Sequence, residues 1–151
     1  MTTSGSLFCN YKKNYTTLVT VKKRLTKIKR SKFNIDSLLN EIIIGLLLGD
    51  GHLQCRNVNS RFIYGLRRSS LREHLLNYFY HVFDLFKPFI SNDFIPKSKT
   101  FVDKRTNNSY KSIVFATLTL PCFNYYRNLF YNKKIVPLNI NQLLTPKGLA
   151  Y

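Results

Sequence analysis

Gly45, Gly49 and Asp50 are the residues of this chain whose types and spacing point most directly to chemistry, in the run Ile43-Ile44-Gly45-Leu46-Leu47-Leu48-Gly49-Asp50-Gly51. Gly45 and Gly49 stand four apart, so on a helix they share one face. Without side chains there, a second helix can approach almost backbone to backbone. The helix loses roughly 1 kcal/mol of propensity per Gly relative to Ala in exchange. Asp50 falls at the C-terminal end of that helix, where the macrodipole is already negative. A carboxylate at that end calls for a compensating positive charge. A hard divalent cation, Mg²⁺ or Mn²⁺, held by the carboxylate and backbone oxygens would supply it. Gly-Asp-Gly at a helix end also reads as an ordinary cap and turn.

The elements around this stretch must position it. Asp36 or Ser37 can cap a helix, Glu41 favours its first turn, and Gly51 is the expected stop. The segment from Leu38 to Leu48 is apolar on every side, which predicts burial on every side. Residues 52–56 alternate, with His52, Gln54 and Arg56 on one face and Leu53 and Cys55 on the other, as in a strand with one wet face. A turn over 57–60 leads to a returning strand over 61–69, in which Arg61, Ile63, Gly65 and Arg67 share a face. Residues 71–87 carry apolar side chains at helical spacing, and Pro88 ends that helix. Segments 97–105 and 110–120 read as a second hairpin, and Pro121 opens a short helix with Phe123, Tyr126, Leu129 and Phe130. The order αββαββα predicts an α+β fold, with helices over one face of an antiparallel sheet and the other face open.

Charge says what the open face meets. Twenty-four Lys and Arg against seven Asp and Glu leave a net charge of +17 in 151 residues. That excess argues for a polyanionic partner, nucleic acid before membrane. Gln54, Arg56, Arg61, Arg67, Arg68, Lys97, Lys99 and Lys111, with Lys104 and Arg105, fall on the expected strands and could touch phosphates or bases. Residues 1–35 hold no acid and nine basic residues, which suits a flexible basic arm lying along phosphates. The longest apolar run, Ile42–Leu48, is far short of the ~20 residues that span a bilayer. Cys9, Cys55 and Cys122 are too widely spaced for a disulfide framework or a zinc pattern. His74 and His81 have no ligand partners at metal spacing. Lys, Asn, Phe, Ile and Tyr are abundant while Ala occurs twice. This points to an AT-rich gene, as in many organellar genomes, an AT-rich nuclear or bacterial genome being the other reading. The expected location is the mitochondrion, with the chloroplast as the alternative.

The stretch Gly45–Gly51 resembles the signature of LAGLIDADG homing endonucleases in its G-L-L-L-G-D-G variant. The resemblance extends from about Asn34 to Tyr151 through Phe130-Tyr131, Lys133-Lys134-Ile135-Val136-Pro137 and Leu144-Thr145-Pro146. It implies a sheet saddle over the major groove of double-stranded DNA and an intron-encoded, metal-dependent endonuclease. Asp50 would be the catalytic, metal-binding acid, with the Gly49 carbonyl as a backbone ligand. Gly45, Gly49, Ile42 and Leu46 would form the contact between two motif helices. The family's first acid is Leu48 here, and Tyr64-Gly65-Leu66 and Leu118-Thr119-Leu120 are mostly apolar where relatives often place polar or basic residues, so no catalytic Lys or Gln is assigned. Domain boundaries follow: an arm over 1–35, the endonuclease domain over 36–131, and a connector with the start of a second repeat over 132–151. One motif acid then needs a homodimer or a separately encoded second half. A motif helix without its natural cover predicts self-association. An RNA maturase acting on the host intron reuses the basic surface without needing the acid, and an inactive truncated remnant needs neither.

Overall fold

The computed structural model describes residues 24–68, 70–131 and 136–151. The apolar run becomes helix α2 (Ser37–Leu48), and Asp36 caps it by accepting from the Leu39 N–H at 2.9 Å. The helix ends two residues earlier than Gly51 suggests. Gly49 is its C-cap, and the Leu46 carbonyl accepts from both the Gly49 N–H (3.2 Å) and the Gly51 N–H (2.7 Å). Leu39, Ile42, Ile43, Ile44, Gly45 and Leu46 are buried, but Leu38 and Leu48 are each 40% exposed. Burial is therefore not complete around the helix, as its composition suggests; its two ends emerge.

Strands β1 (His52–Arg56) and β2 (Asn59–Arg68) form a tight hairpin, in which Asn57 turns with a φ of 60°. Asn tolerates that left-handed conformation better than most residues. Helix α3 (Glu73–Phe86) crosses to β3 (Lys99–Val102) and β4 (Ser109–Ala116), and α4 (Asn124–Tyr131) returns. The sheet is antiparallel in the order β1-β2-β4-β3. The α+β architecture in the expected order is borne out. Three short helices are added: α1 (Lys27–Ser31), α5 (Ile140–Leu143) and α6 (Pro146–Leu149).

Alternation in the sheet gives the core. Phe62, Tyr64, Leu66, Ile113 and Phe115 are buried and meet Phe79, Val82 and Phe86 of α3. Phe62 stacks on Phe86 at 4.5 Å, and Phe115 has rings of Tyr64, Phe79, Phe83 and Phe86 within 6 Å. Aromatic packing of this density anchors α3 to one face of the sheet, and the aliphatic Ile42, Ile43, Ile44 and Leu46 of α2 join the same core. Asn124 ties α4 to the β1–β2 hairpin, accepting from the Ser60 N–H at 2.8 Å and donating to the Val58 carbonyl at 3.2 Å.

Two expectations change. Residues 24–35, read as part of a flexible arm, contain α1, and Phe33 and Ile35 pack against the core. Phe33 lies 6.0 Å from Phe89, ring to ring; an aromatic in a basic segment is enough to dock it. Residues 1–23 of that arm lie outside the described residues. The second hairpin is shorter than its alternation suggests. Lys97 precedes β3 beside the buried Pro96, while Lys104 and Arg105 sit in the β3–β4 turn.

Candidate functional site

Helix α2 delivers Asp50 to the edge where β1 begins, and the carboxylate is exposed there. One glycine, Gly51, holds the turn in place for steric reasons. A Cβ on Gly51 would stand 2.8 Å from the Leu46 carbonyl and 2.9 Å from the Phe62 ring, so this backbone presses directly on the core. Asp50 thus projects from a turn clamped onto the sheet. Its charge reaches Tyr64 and Tyr78. Burial raises the Tyr64 phenol first, with smaller contributions from Tyr78 and Asp50. Tyr78 is raised by burial, then by Tyr151, then by Asp50. Both phenols remain neutral donors at ordinary pH.

The notched face of α2 is occupied at Gly45. A Cβ there would fall 1.8 Å from the Gly148 carbonyl oxygen, so α6 crosses α2 with backbone against backbone. Gly148 makes the reciprocal approach, its missing Cβ lying 2.7 Å from the Glu41 carbonyl. Glu41 accepts from the Thr145 hydroxyl at 2.7 Å, and that hydroxyl accepts from the Gly148 N–H at 3.1 Å. Tyr78 donates to the Tyr151 carbonyl at 2.7 Å, and His81 meets the Tyr151 hydroxyl at 2.8 Å. The expectation that α2 lacks its cover therefore changes: residues 145–151 cover it around Gly45. Ile42 and Leu46 are buried at 1% exposure. Gly49 is exposed, and among the described residues no neighbour comes closer than 3.8 Å to a Cβ placed there, so they leave the end of α2 next to Asp50 open. Gly148 was not among the interface residues read from the sequence. Its signal was a glycine one turn after Thr145-Pro146, in a segment short enough to be a second helix start.

Register sorts the basic residues. Directly opposed residues project to the same side. The pairs Gln54↔Arg61, Arg56↔Asn59, Gly65↔Val114, Arg67↔Ser112, Lys99↔Ser112 and Phe101↔Tyr110 therefore share the face away from the helices. Gln54, Arg56, Arg61, Arg67 and Lys99 lie together there, with no acid among the strand residues of that face. Arg68 and Lys111 oppose each other on the helix-covered side, at its exposed far end. Lys111 shares its parity with Ile113 and Phe115, so it could not have joined the open face. Lys97 lies outside the sheet. Arg61 gives its Nε–H to Gln54 Oε1 at 2.9 Å and a second donor to the same oxygen. Burial and the nearby Arg56 lower the affinity of Arg61 for its proton. Arg67 stands over the Phe101 ring, 4.4 Å from its centroid.

Other chemistry is not assembled. Among the described residues no three His, Cys, Asp or Glu side chains gather at metal distance. Mg²⁺ takes six oxygens. The Asp50 carboxylate and neighbouring backbone carbonyls therefore fit a share of such a site rather than a whole one. His74 and His81 are exposed on α3, and burial pushes the Cys122 thiol up to about 11. Among the described residues no helix is long and apolar enough to cross a membrane.

Comparison with known proteins places this arrangement. The model of the LAGLIDADG DNA endonuclease family matches residues 40–151. DNA endonuclease I-ChuI of Chlamydomonas applanata is 34% identical over 119 residues, covering 74% of this chain and 53% of that protein. The solved structure of the homing endonuclease I-WcaI bound to its DNA recognition sequence shares the fold at a TM-score of 0.64 and 17% identity. That likeness covers 79% of this chain and 50% of the other. The chain spans about half the length of these relatives. A family match that begins inside α2 and runs through the whole sheet to Tyr151 leaves no doubt of kinship: the chain belongs to the LAGLIDADG DNA endonuclease family.

Proposed function

We propose that the chain is a motif-bearing half of a site-specific homing endonuclease that hydrolyses phosphodiester bonds of double-stranded DNA. The observation that carries this is the joint placement of Asp50 and the acid-free open sheet face, with Gln54, Arg56, Arg61, Arg67 and Lys99, in one chain of this family. The open face binds the duplex, and its cations track phosphates and reach base edges. Asp50 and the Gly49 carbonyl would hold Mg²⁺ or Mn²⁺. That ion supplies activation of water and stabilisation of the leaving oxygen. The exposed carboxylate and the negative end of α2 add at one point, which favours a cation there. The remaining ligands come from a second acid, contributed by a homodimer or by a separately encoded half, and from DNA and water. The AT-rich composition supports an organellar, mitochondrial gene, and membership of the family supports its being intron-encoded.

The test is binding of a long duplex across a salt series. Phosphates neutralised by Arg56 and Lys99 alone give a slope of roughly −1.8 in log K against log salt, about 12-fold weaker binding over a fourfold rise in salt. Arg56→Glu and Lys99→Glu should each weaken binding and flatten the slope. Salt-insensitive binding, or preference for structured intron RNA over duplex DNA, would count against the proposal.

A further inference from the structure

The cations of the open face are not equivalent. Arg56 and Lys99 are exposed side chains at its margins. Arg61 and Arg67 are each held by a neighbour. Gln54, opposite Arg61 in register, accepts two donors from its guanidinium through Oε1. Phe101 lies under the Arg67 guanidinium at 4.4 Å, and is itself stacked on Tyr110 at 5.8 Å and 23°. A guanidinium fixed over an aromatic ring keeps its in-plane donors facing outward, and a fixed fork loses less entropy on binding.

The chemistry of the two sites is one-sided. Gln54 reads adenine only when its amide offers an oxygen acceptor and a nitrogen donor together. Its oxygen is already engaged by Arg61. The Gln54–Arg61 pair therefore presents donors alone, as does Arg67. In the major groove a donor fork matches the two acceptors of guanine, O6 and N7. Arg61 and Arg67 share strand β2 and one face, six residues apart. At ~3.3 Å per residue they stand roughly 20 Å apart. A strand lying along the groove carries them over about six base-pair steps of 3.4 Å.

We infer that Arg61 and Arg67 are the two guanine-reading side chains of this half, about six base pairs apart, with Gln54 and Phe101 as their positioning residues. The inference rests on the open face being the DNA interface. Gln54, expected from the sequence to touch DNA directly, acts instead through Arg61.

The experiment is selection by the full chain from a pool of random duplexes, scored for base preference at each position. The wild type should enrich guanine at two positions about six steps apart. Phe101→Leu should lower the preference at one of them by about tenfold, leaving the other intact, and Phe101→Tyr should retain both. Gln54→Met should erode only the other position. Arg61→Lys and Arg67→Lys change solvent-facing groups without disturbing the core, and should reproduce these two patterns even if Phe101→Leu unfolds. Retained duplexes whose preferences survive all these variants, or blur at both positions together, overturn the inference and leave the interface standing. Failure of the wild type to retain any duplex overturns both.

Discussion

Replacing Gly45 by Ala asks directly whether α2 and α6 meet backbone to backbone. The new Cβ would start 1.8 Å from the Gly148 oxygen and 2.7 Å from its carbonyl carbon. No rotamer can relieve a clash with backbone. Ordinary contact needs about 3.5 Å, so α6 must retreat by roughly 1.5 Å or more. That lengthens the Thr145–Glu41 bond from 2.7 Å beyond hydrogen-bonding range. It also loosens the two contacts of Tyr151 with Tyr78 and His81. One charge-assisted bond and one or two neutral ones, at roughly 1 kcal/mol or more each, give a loss of about 3 kcal/mol. The better helix propensity of Ala returns roughly 1 kcal/mol. The net, about 2 kcal/mol, corresponds to a fall in Tm of roughly 4–8 °C for a chain of this size. Thermal unfolding by circular dichroism reads the stability, and amide exchange reads the release of residues 146–151. Gly49→Ala is the control, since its nearest neighbour lies 3.8 Å away. A Gly45→Ala protein that melts as high as wild type, with α6 equally protected, would refute the crossing.

Among the described residues Ser60 Oγ is buried without a hydrogen-bond partner, so Ser60→Ala should raise stability slightly, by up to about 1 kcal/mol, in a urea titration. Tyr126 donates to Asn40 Oδ1 at 2.7 Å, linking α4 to α2; Tyr126→Phe should cost about 1 kcal/mol in the same titration. Burial holds Cys122 at about 11, above its ordinary value of 9.0, and raises Tyr64 and Tyr126 as well. The native state then binds more protons than the unfolded chain in alkali. Stability is full below pH 9 and falls as pH rises through about 11, which melting curves across that range will show.

The sheet was legible because a period of two is hard to mistake. Alternation in 52–56 and 61–67 assigns each residue to its face, and the structure keeps those assignments. The helix carrying Asp50 was legible from its cap and apolar run, although its end was not. Gly51 looks like a stop, yet its role is contact with Phe62, which no local pattern reveals. Charge and the expected strands over 97–105 and 110–120 group Lys97 and Lys111 with the open face. Pro96 and the parity of Ile113 and Phe115 were already in the sequence to separate them. The pairing of Gly45 with Gly148 joins segments far apart in the chain, so only the folded backbone shows it. Holding of Arg61 by Gln54 follows from register, which depends on the two-residue turn at Asn57.

The most direct test of the proposal is cleavage of duplex DNA by the wild type and by Asp50→Asn, with Mg²⁺, across protein concentrations that allow two motif acids to meet. Asp50 is exposed and bears on no core contact, so the variant should fold and bind duplex as the wild type does. Strand scission by the wild type alone, at equal occupancy of the DNA, is the expected result. Scission that continues unchanged in Asp50→Asn would contradict a catalytic role for the acid at the end of α2.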